Sequence, residues 1–336
     1  MPQWMIYGAN GYTGELIARE AARRGQKPVL AGRNREQVES LARELGCEAR
    51  VFDLDHIDLS GVALVLHCAG PFAYTSAPMV RACLDAGVHY LDITGEIAVF
   101  ESIYAKDEEA RRRNVLLLPG AGFDVVPTDC LAAQLHARMP DANELWLAFL
   151  SRGGVSRGTM KTMLDTIGHG GAIRRDGRIE RVPAIFDIRT IPFESGPRPA
   201  MTIPWGDVAS AYRSTGIPNI RVYRGASEGM IRRTRRFARI APLLRITPLK
   251  RLAQAWVSRK MTGPNEQQRA KGHVEIWGRV ANARGEEVTM TLRTKEGYDF
   301  TVLSSLAAVD RVLGGIGKSG ALTPSLAFGP NFVNEV

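Results

Sequence analysis

Between Ile6 and Glu15 the chain reads IYGANGYTGE, and no other stretch constrains the fold as strongly. An apolar run, Trp4 to Tyr7, leads into Gly8, Gly11 and Gly14, after which Leu16, Ile17, Ala18, Ala21 and Ala22 recur at helical spacing up to Gly25. This pattern predicts strand, turn and helix in immediate succession. Glycines at such a junction allow positive φ and close approach of a ligand, and the helix that follows directs its free N–H groups and positive dipole end at an anion. A dinucleotide pyrophosphate is the usual occupant, so Gly8, Asn10, Gly11, Tyr12, Thr13 and Gly14 are expected to line a cofactor loop. The spacing is G-x-x-G-x-x-G rather than G-x-G-x-x-G, and a turn shaped only by sterics could carry it.

The context strengthens the reading. A second apolar run, Pro28 to Ala31, stands at the distance a βαβ unit requires and ends in Gly32-Arg33-Asn34-Arg35. An NAD site would place an acid here for the ribose 2′-hydroxyl. Arg33 and Asn34 suit a 2′-phosphate instead, so NADP(H) is expected over NAD(H). The alternative for Arg33 is a solvated loop residue.

Repeated strand–helix alternation continues to about residue 118: strands at 48–53, 62–68, 88–92 and 115–118, helices at 35–45, 76–86 and 97–113. Continuous apolar strands in such alternation mean a parallel sheet covered on both faces, that is, a Rossmann-like doubly wound α/β domain over residues 1–130. Three more glycine-bearing loops follow strands at the same edge, in HCAGPFAYTS, LDITGE and PGAGFDVVPTD. Cys68, Ala69, Gly70 and Pro71 are expected under the nicotinamide ribose, Asp53 near the adenine, and Gly122, Phe123 and Asp124 on the far side. Beyond a helix at 128–139, strands at 144–150, 185–191, 220–223, 273–280 and 288–293 alternate in a way that predicts a second α/β domain, 131–296, of mostly antiparallel sheet. A helix at 300–313 and the segment to 336 are expected to return to the first domain.

With 336 residues, 45% of them apolar, the chain has the composition of an ordinary globular protein. No run approaches the length of a membrane-spanning helix, and the first strand starts too early to leave room for a cleavable leader, so a cytoplasmic protein is expected. The four cysteines have no C-x-x-C spacing and read as buried free thiols, with no metal site indicated. The net charge of +9 is local: residues 230–260 hold ten Arg or Lys and no Asp or Glu, so the rest of the chain is nearly neutral. Interleaved with Phe237, Ile240, Leu243, Leu244 and Trp256, this segment reads as basic amphipathic helices that suit a peripheral membrane contact or an acidic carrier domain; a solvated helical face is the plain alternative. Nucleic acid is not expected, because no nucleic-acid motif accompanies the patch.

GANGYTGELIAREAARRG, LAGRN, GPFAYTSAPMVRACLDAGVHYLDITGE and PGAGFDVVPTD, in this order, resemble the saccharopine dehydrogenase-like oxidoreductases, particularly the short bacterial members. IPWGDVASAYRSTGIPNI and GALTPSLAFGP extend the resemblance over nearly the whole chain. It implies an NAD(P)-binding domain, an inserted substrate domain and hydride transfer at a C=N bond. A mycobacterial branch of trans-acting enoyl reductases implies instead reduction of C=C in carrier-bound lipid or polyketide chains. The chain is shorter than the lysine-pathway enzyme and carries no cluster matching two amino-acid carboxylates and an amine, while the basic segment suits a lipid-like or carrier-bound acyl substrate.

Hydride transfer also needs a proton donor. Tyr74, just past the fourth strand, is the first candidate and Asp124 the second. His67, inside an apolar strand, reads as a buried hydrogen-bonded histidine. Glu96 could orient the nicotinamide amide or start the helix at Ile97, and SRGGVSRGTMKT supplies Arg152, Ser156 and Thr159 as substrate-binding candidates. A homodimer is expected. Two non-enzymatic readings compete, an NADP(H) sensor and a membrane-peripheral scaffold.

Overall fold

The structure, a computed structural model, describes residues 3–151, 156, 160, 170–240 and 263–336. Two compact units emerge: Met1–Val126 together with Tyr298–Val336, and Pro127–Gly297.

The first unit is built on a seven-stranded parallel sheet. In chain order its elements are β1 (Trp4–Tyr7), α1 (Tyr12–Arg23), β2 (Val29–Gly32), α2 (Arg35–Leu45), β3 (Ala49–Val51), β4 (Leu64–His67), α3 (Phe72–Ala86), β5 (His89–Asp92), α4 (Ile97–Tyr104), α5 (Asp107–Arg112) and β6 (Leu116–Leu118). The order across the sheet is β15-β6-β5-β4-β1-β2-β3, where β15 (Gly320–Ala321) arrives from the end of the chain and pairs with β6. Strands β1, β2, β4 and β6 are buried along their whole length, as helices on both faces require. The direction of winding reverses between β1 and β4, which pair in parallel from Trp4↔Leu64 to Tyr7↔His67. Ligands of such sheets bind outside the strand ends at this reversal.

Local chemistry moves two helices from their sequence-based positions. α3 starts at Phe72, four residues before the predicted Ser76, because Glu96 supplies its carboxylate to the first-turn N–H groups. The helix predicted over 97–113 is two helices: α4 ends at Tyr104, and Lys106 leaves helical geometry with ψ near 10° before Asp107, Glu108 and Glu109 open α5 with the acidic first turn that its dipole favours.

The second unit holds a mixed sheet with the path β10-β11-β12-β7-β13-β14 and β8–β9 attached to β12. Its strands are β7 (Glu144–Ser151), β8 (Gly171–Arg175), β9 (Arg178–Val182), β10 (Ile188–Phe193), β11 (Gly196–Thr202), β12 (Asn219–Gly225), β13 (His273–Ala281) and β14 (Glu287–Lys295). Among the described residues only β7 and β12 of this sheet run parallel; every other pairing is antiparallel. The strand predicted over 185–191 begins at Ile188, since Ile185 has φ near 57° and cannot continue a ladder. β11 was invisible in the sequence because GPRPAMT carries two prolines; they pair with Pro192 and Thr190 of the outermost strand, where missing donors are tolerated. Asp176 and Gly177, both at positive φ, make the two-residue turn of the β8–β9 hairpin. Helix α6 (Val126–Arg138) packs its Leu131 and Leu135 so near Gly278 that a Cβ there would meet them at 3.0 and 2.7 Å. Helices α7 (Asp207–Thr215), α8 (Glu228–Ile240) and α9 (Glu266–Ala270) complete the unit, and α10 (Gly297–Leu313) leads the chain back to the first.

All four cysteines are free; Cys83 and Cys130 are buried, but Cys47 and Cys68 are only partly so, which corrects the expectation for those two.

Candidate functional site

Five loops at the carboxyl ends of β1, β2, β4, β5 and β6 form the candidate site. The first is the glycine turn. Gly8 has φ near 85° and donates its N–H to Ala31 O at 2.8 Å, while the Ala9 N–H reaches the same carbonyl at 3.1 Å. A Cβ on Gly8 would lie 2.8 Å from Ala69 N and 2.9 Å from Ala69 Cβ, so glycine is what lets the β1 and β4 loops touch at the reversal point. Gly14 is more constrained still: its Cβ would fall 2.3 Å from Gly8 O, closing off the packing of α1 against the turn. Gly11 is exposed and precedes α1 without any side-chain cap, so the positive end of the helix dipole opens on this loop. Asn10 donates to Gln37 Oε1 at 2.8 Å and its Oδ1 lies against Gly32, so it ties the first turn to the second. Tyr12 meets Tyr298 edge-on at 5.0 Å.

At the end of β2, Asn34 is committed to structure: its side chain accepts from Gln37 N at 3.1 Å and caps α2. Arg35 pairs with Glu39 at 2.8 Å. Arg33 is exposed and makes no ion pair or hydrogen bond among the described residues, yet its charge reaches the Tyr7 hydroxyl and lowers that group's pKa against the dominant effect of burial. Asp53, predicted beside the adenine, accepts from Asp55 N and His56 N and pairs with the His56 ring at 2.9 Å, making a turn after the edge strand β3. These bonds hold its pKa below the ordinary value.

The β4 loop, Cys68 to Pro71, runs straight into α3. Beneath it His67 is fully buried, stacked on Tyr7 at 5.4 Å, with Nε2 3.0 Å from Thr75 Oγ1. Thr75 gives its one proton to a backbone carbonyl, Ala69 O at 2.7 Å or Pro71 O at 3.2 Å, so Nε2 of His67 is the donor and Nδ1 carries no proton. Burial pushes this histidine down to about 3, which fixes it neutral. Tyr74, predicted on the loop, lies in the first turn of α3 with 63% of its surface exposed.

Three acids gather where β5 and β6 end, and their environments assign them different work. Asp92 Oδ1 accepts from Thr94 N and Gly120 N at 3.0 and 2.9 Å, and Oδ2 from Tyr90 OH at 2.8 Å. It pins the two loops together, with burial raising it to about 6. Glu96 accepts from Phe72 N at 2.8 Å and Ala73 N at 3.0 Å, the positive end of α3. Its carboxylate is therefore engaged in capping α3, a role the sequence did not reveal because the two segments are 24 positions apart. Asp124 packs against Gly95, where a Cβ would come within 2.5 Å of Oδ2, and burial followed by the charge of Glu96 raises it to about 7. Its loop is held from α10: Thr301 Oγ1 accepts from Phe123 N at 3.0 Å, Ser304 donates to Ala121 O at 2.8 Å, and a Cβ on Gly122 would strike Thr301. The α10 contacts are long-range and had no signal in the sequence.

Residues 4–118 match the family model of the saccharopine dehydrogenase NADP binding domain. The matched residues cover about a third of the chain and lie within the first unit. The chain is similar to saccharopine dehydrogenase-like oxidoreductases, one from Bos taurus being 30% identical over 150 residues, 37% of this chain and 35% of that protein. It is also 31% identical over 147 residues to a trans-acting enoyl reductase of Mycobacterium bovis, covering 40% of this chain and 35% of the relative. The chain thus spans about a third of the length of these two relatives. The fold is shared with saccharopine dehydrogenase (L-Glu forming) from Saccharomyces cerevisiae, at a TM-score of 0.64 and 12% identity over 100% of this chain and 96% of that one.

In the second unit, Ser156 is buried, whereas Arg152 and Thr159 lie outside the described residues. Helix α8 carries Arg232, Arg233, Arg235 and Arg236 on its exposed faces, with Met230 and Phe237 also exposed and Ile231 buried against Met201 and Ala226. Of these arginines only Arg232 has an ion pair among the described residues, with Glu228 at 3.3 Å. The remainder of the basic segment, 241–262, lies outside the described residues. No helix among the described residues is long and apolar enough to cross a membrane.

Proposed function

We propose that the protein is an NADPH-dependent oxidoreductase that reduces a C=N or C=C bond. The observation that carries the cofactor preference is Arg33: an exposed guanidinium with no partner among the described residues, at the end of β2. Arg35, two positions on, is paired with Glu39, so an unpaired guanidinium at Arg33 suits a 2′-phosphate. The glycine cradle fits the rest of a dinucleotide: Gly8, Gly11 and Gly14 would hold the pyrophosphate against the start of α1, and Ala69 to Pro71 would run beneath the ribose. When bound, the nicotinamide supplies a hydride.

The chain's own share is a proton and a dry place to deliver it. Asp124, raised to about 7 by burial and by Glu96, is the acid best suited, since it holds its proton near neutral pH and can release it to a nitrogen or enolate. This reverses the order of the two candidates: Tyr74 is largely exposed, whereas burial raises Asp124 to about 7. A carrier-bound acyl chain is the substrate class that the mycobacterial likeness and the basic α8 favour. The test is NADPH oxidation with cyclic imines and enoyl thioesters as acceptors. Turnover that Asp124→Asn reduces at least about 100-fold supports the reading; NADPH binding without turnover on either acceptor class favours a sensor.

A further inference from the structure

Arg224 is an arginine without a counterpart among the described residues. It stands next to last in β12, in register with Phe149 of the parallel β7 and Met201 of the antiparallel β11. Residues in register project from the same face of a sheet, so Arg224 shares its face with Phe149, which meets the Trp205 ring at 5.0 Å, and with Met201, which packs with Ala226 and Ile231. In this apolar setting burial pulls the guanidinium below its ordinary pKa, and no described residue offers it a hydrogen bond or an ion pair.

Three other buried or half-buried arginines of the unit are treated differently. Arg174 donates to Val208 O at 2.8 Å and Gly177 O at 2.7 Å and lies over the Tyr212 ring at 4.1 Å. Arg279 pairs with Glu144 and Glu287 and sits over Trp146. Arg221 has Asp187 at 3.5 Å. A half-buried guanidinium with no acceptor among the described residues keeps its donors open to an arriving anion. The position is also telling, because β7 and β12 form the parallel pair of this sheet and the carboxyl ends of parallel strands are where ligands collect.

We infer that Arg224 is an oxyanion subsite, receiving a carboxylate or phosphate of the substrate on its planar fork. In assigning that anion to a substrate, the inference rests on the reductase reading above; the anion site itself does not. Phe149 and Trp205 would form the apolar wall beside it, so the ligand carries a charged group joined to an apolar portion.

A thermal-unfolding titration without nucleotide separates the two readings. Wild type, Arg224→Met and Arg224→Lys are each unfolded in succinate, in phosphate and in sodium chloride of equal ionic strength. Succinate or phosphate should raise the midpoint of the wild type saturably beyond chloride, whichever of the two does so naming the anion, and Arg224→Met should weaken that binding by roughly 30-fold or more. In chloride alone Arg224→Met should unfold no lower than the wild type, because it removes an unpartnered guanidinium from apolar surroundings; a structural arginine would give the opposite. Equal anion stabilisation of wild type and Arg224→Met, no anion effect on the wild type, or a lowered midpoint for Arg224→Met in chloride would each overturn the assignment. Failure of NADPH binding would leave this titration untouched.

Discussion

Replacing Asp124 by Asn should change how stability depends on pH. The Asp124 carboxyl moves from an ordinary 3.8 in the unfolded chain to about 7 in the fold, chiefly through burial. Between those values the native protein keeps a proton that the unfolded chain has lost, so stability is fully present below about pH 4 and falls as pH rises toward 7. At about 1.4 kcal/mol per pKa unit, a rise of about three units corresponds to at most about 4 kcal/mol. Asparagine occupies nearly the same volume and does not titrate. Asp92, raised to about 6, titrates in both proteins and cancels in the comparison. Urea unfolding of wild type and Asp124→Asn at several pH values from about 4 to about 8 should show the variant gaining about 2–4 kcal/mol relative to wild type across that range. A difference that stays constant with pH would refute the burial argument and, with it, the case for Asp124 as a proton donor near neutrality.

Other expectations follow from the same geometry. Gly14→Ala places a methyl 2.3 Å from Gly8 O, against backbone that cannot yield, and should destabilise by about 2–3 kcal/mol in denaturant unfolding; a loss below about 0.5 kcal/mol would mean the turn is looser than described. Thr75→Val should cost about 1–3 kcal/mol by removing the described partner of the buried His67 Nε2, while Thr75→Ser should be close to neutral; equal losses for both would point to packing instead. If α8 meets a membrane surface, sedimentation with vesicles containing anionic lipid should capture the protein, and Arg233→Glu with Arg236→Glu should abolish capture. Equal capture by purely zwitterionic vesicles would remove the arginines from that account.

The first unit was legible because its signals are local. A strand, a glycine turn and a helix are written within about twenty residues, and continuous apolar strands leave few options besides a parallel sheet. The second unit was legible only as a class. Strands β8 and β9 were hidden, and β11 was masked by prolines that an outermost pairing tolerates. At the site, residue type pointed to Glu96 and Asp124 but not to Asp92, and the separate states of all three come from contacts distant in sequence: Phe72 N on Glu96, Gly120 N on Asp92, Gly95 against Asp124. Asn34 shows the converse limit, since its type fitted a ligand and its side chain serves as a helix cap.

Fluorescence titration of the purified protein with NADPH and NADH, repeated on Arg33→Asp, tests the central claim most directly. The account predicts that wild type prefers NADPH and that Arg33→Asp weakens NADPH by about 10- to 100-fold while sparing NADH, the loss of one charge-assisted contact with a phosphate. Equal affinity for the two nucleotides in wild type, or no binding of either, would contradict it.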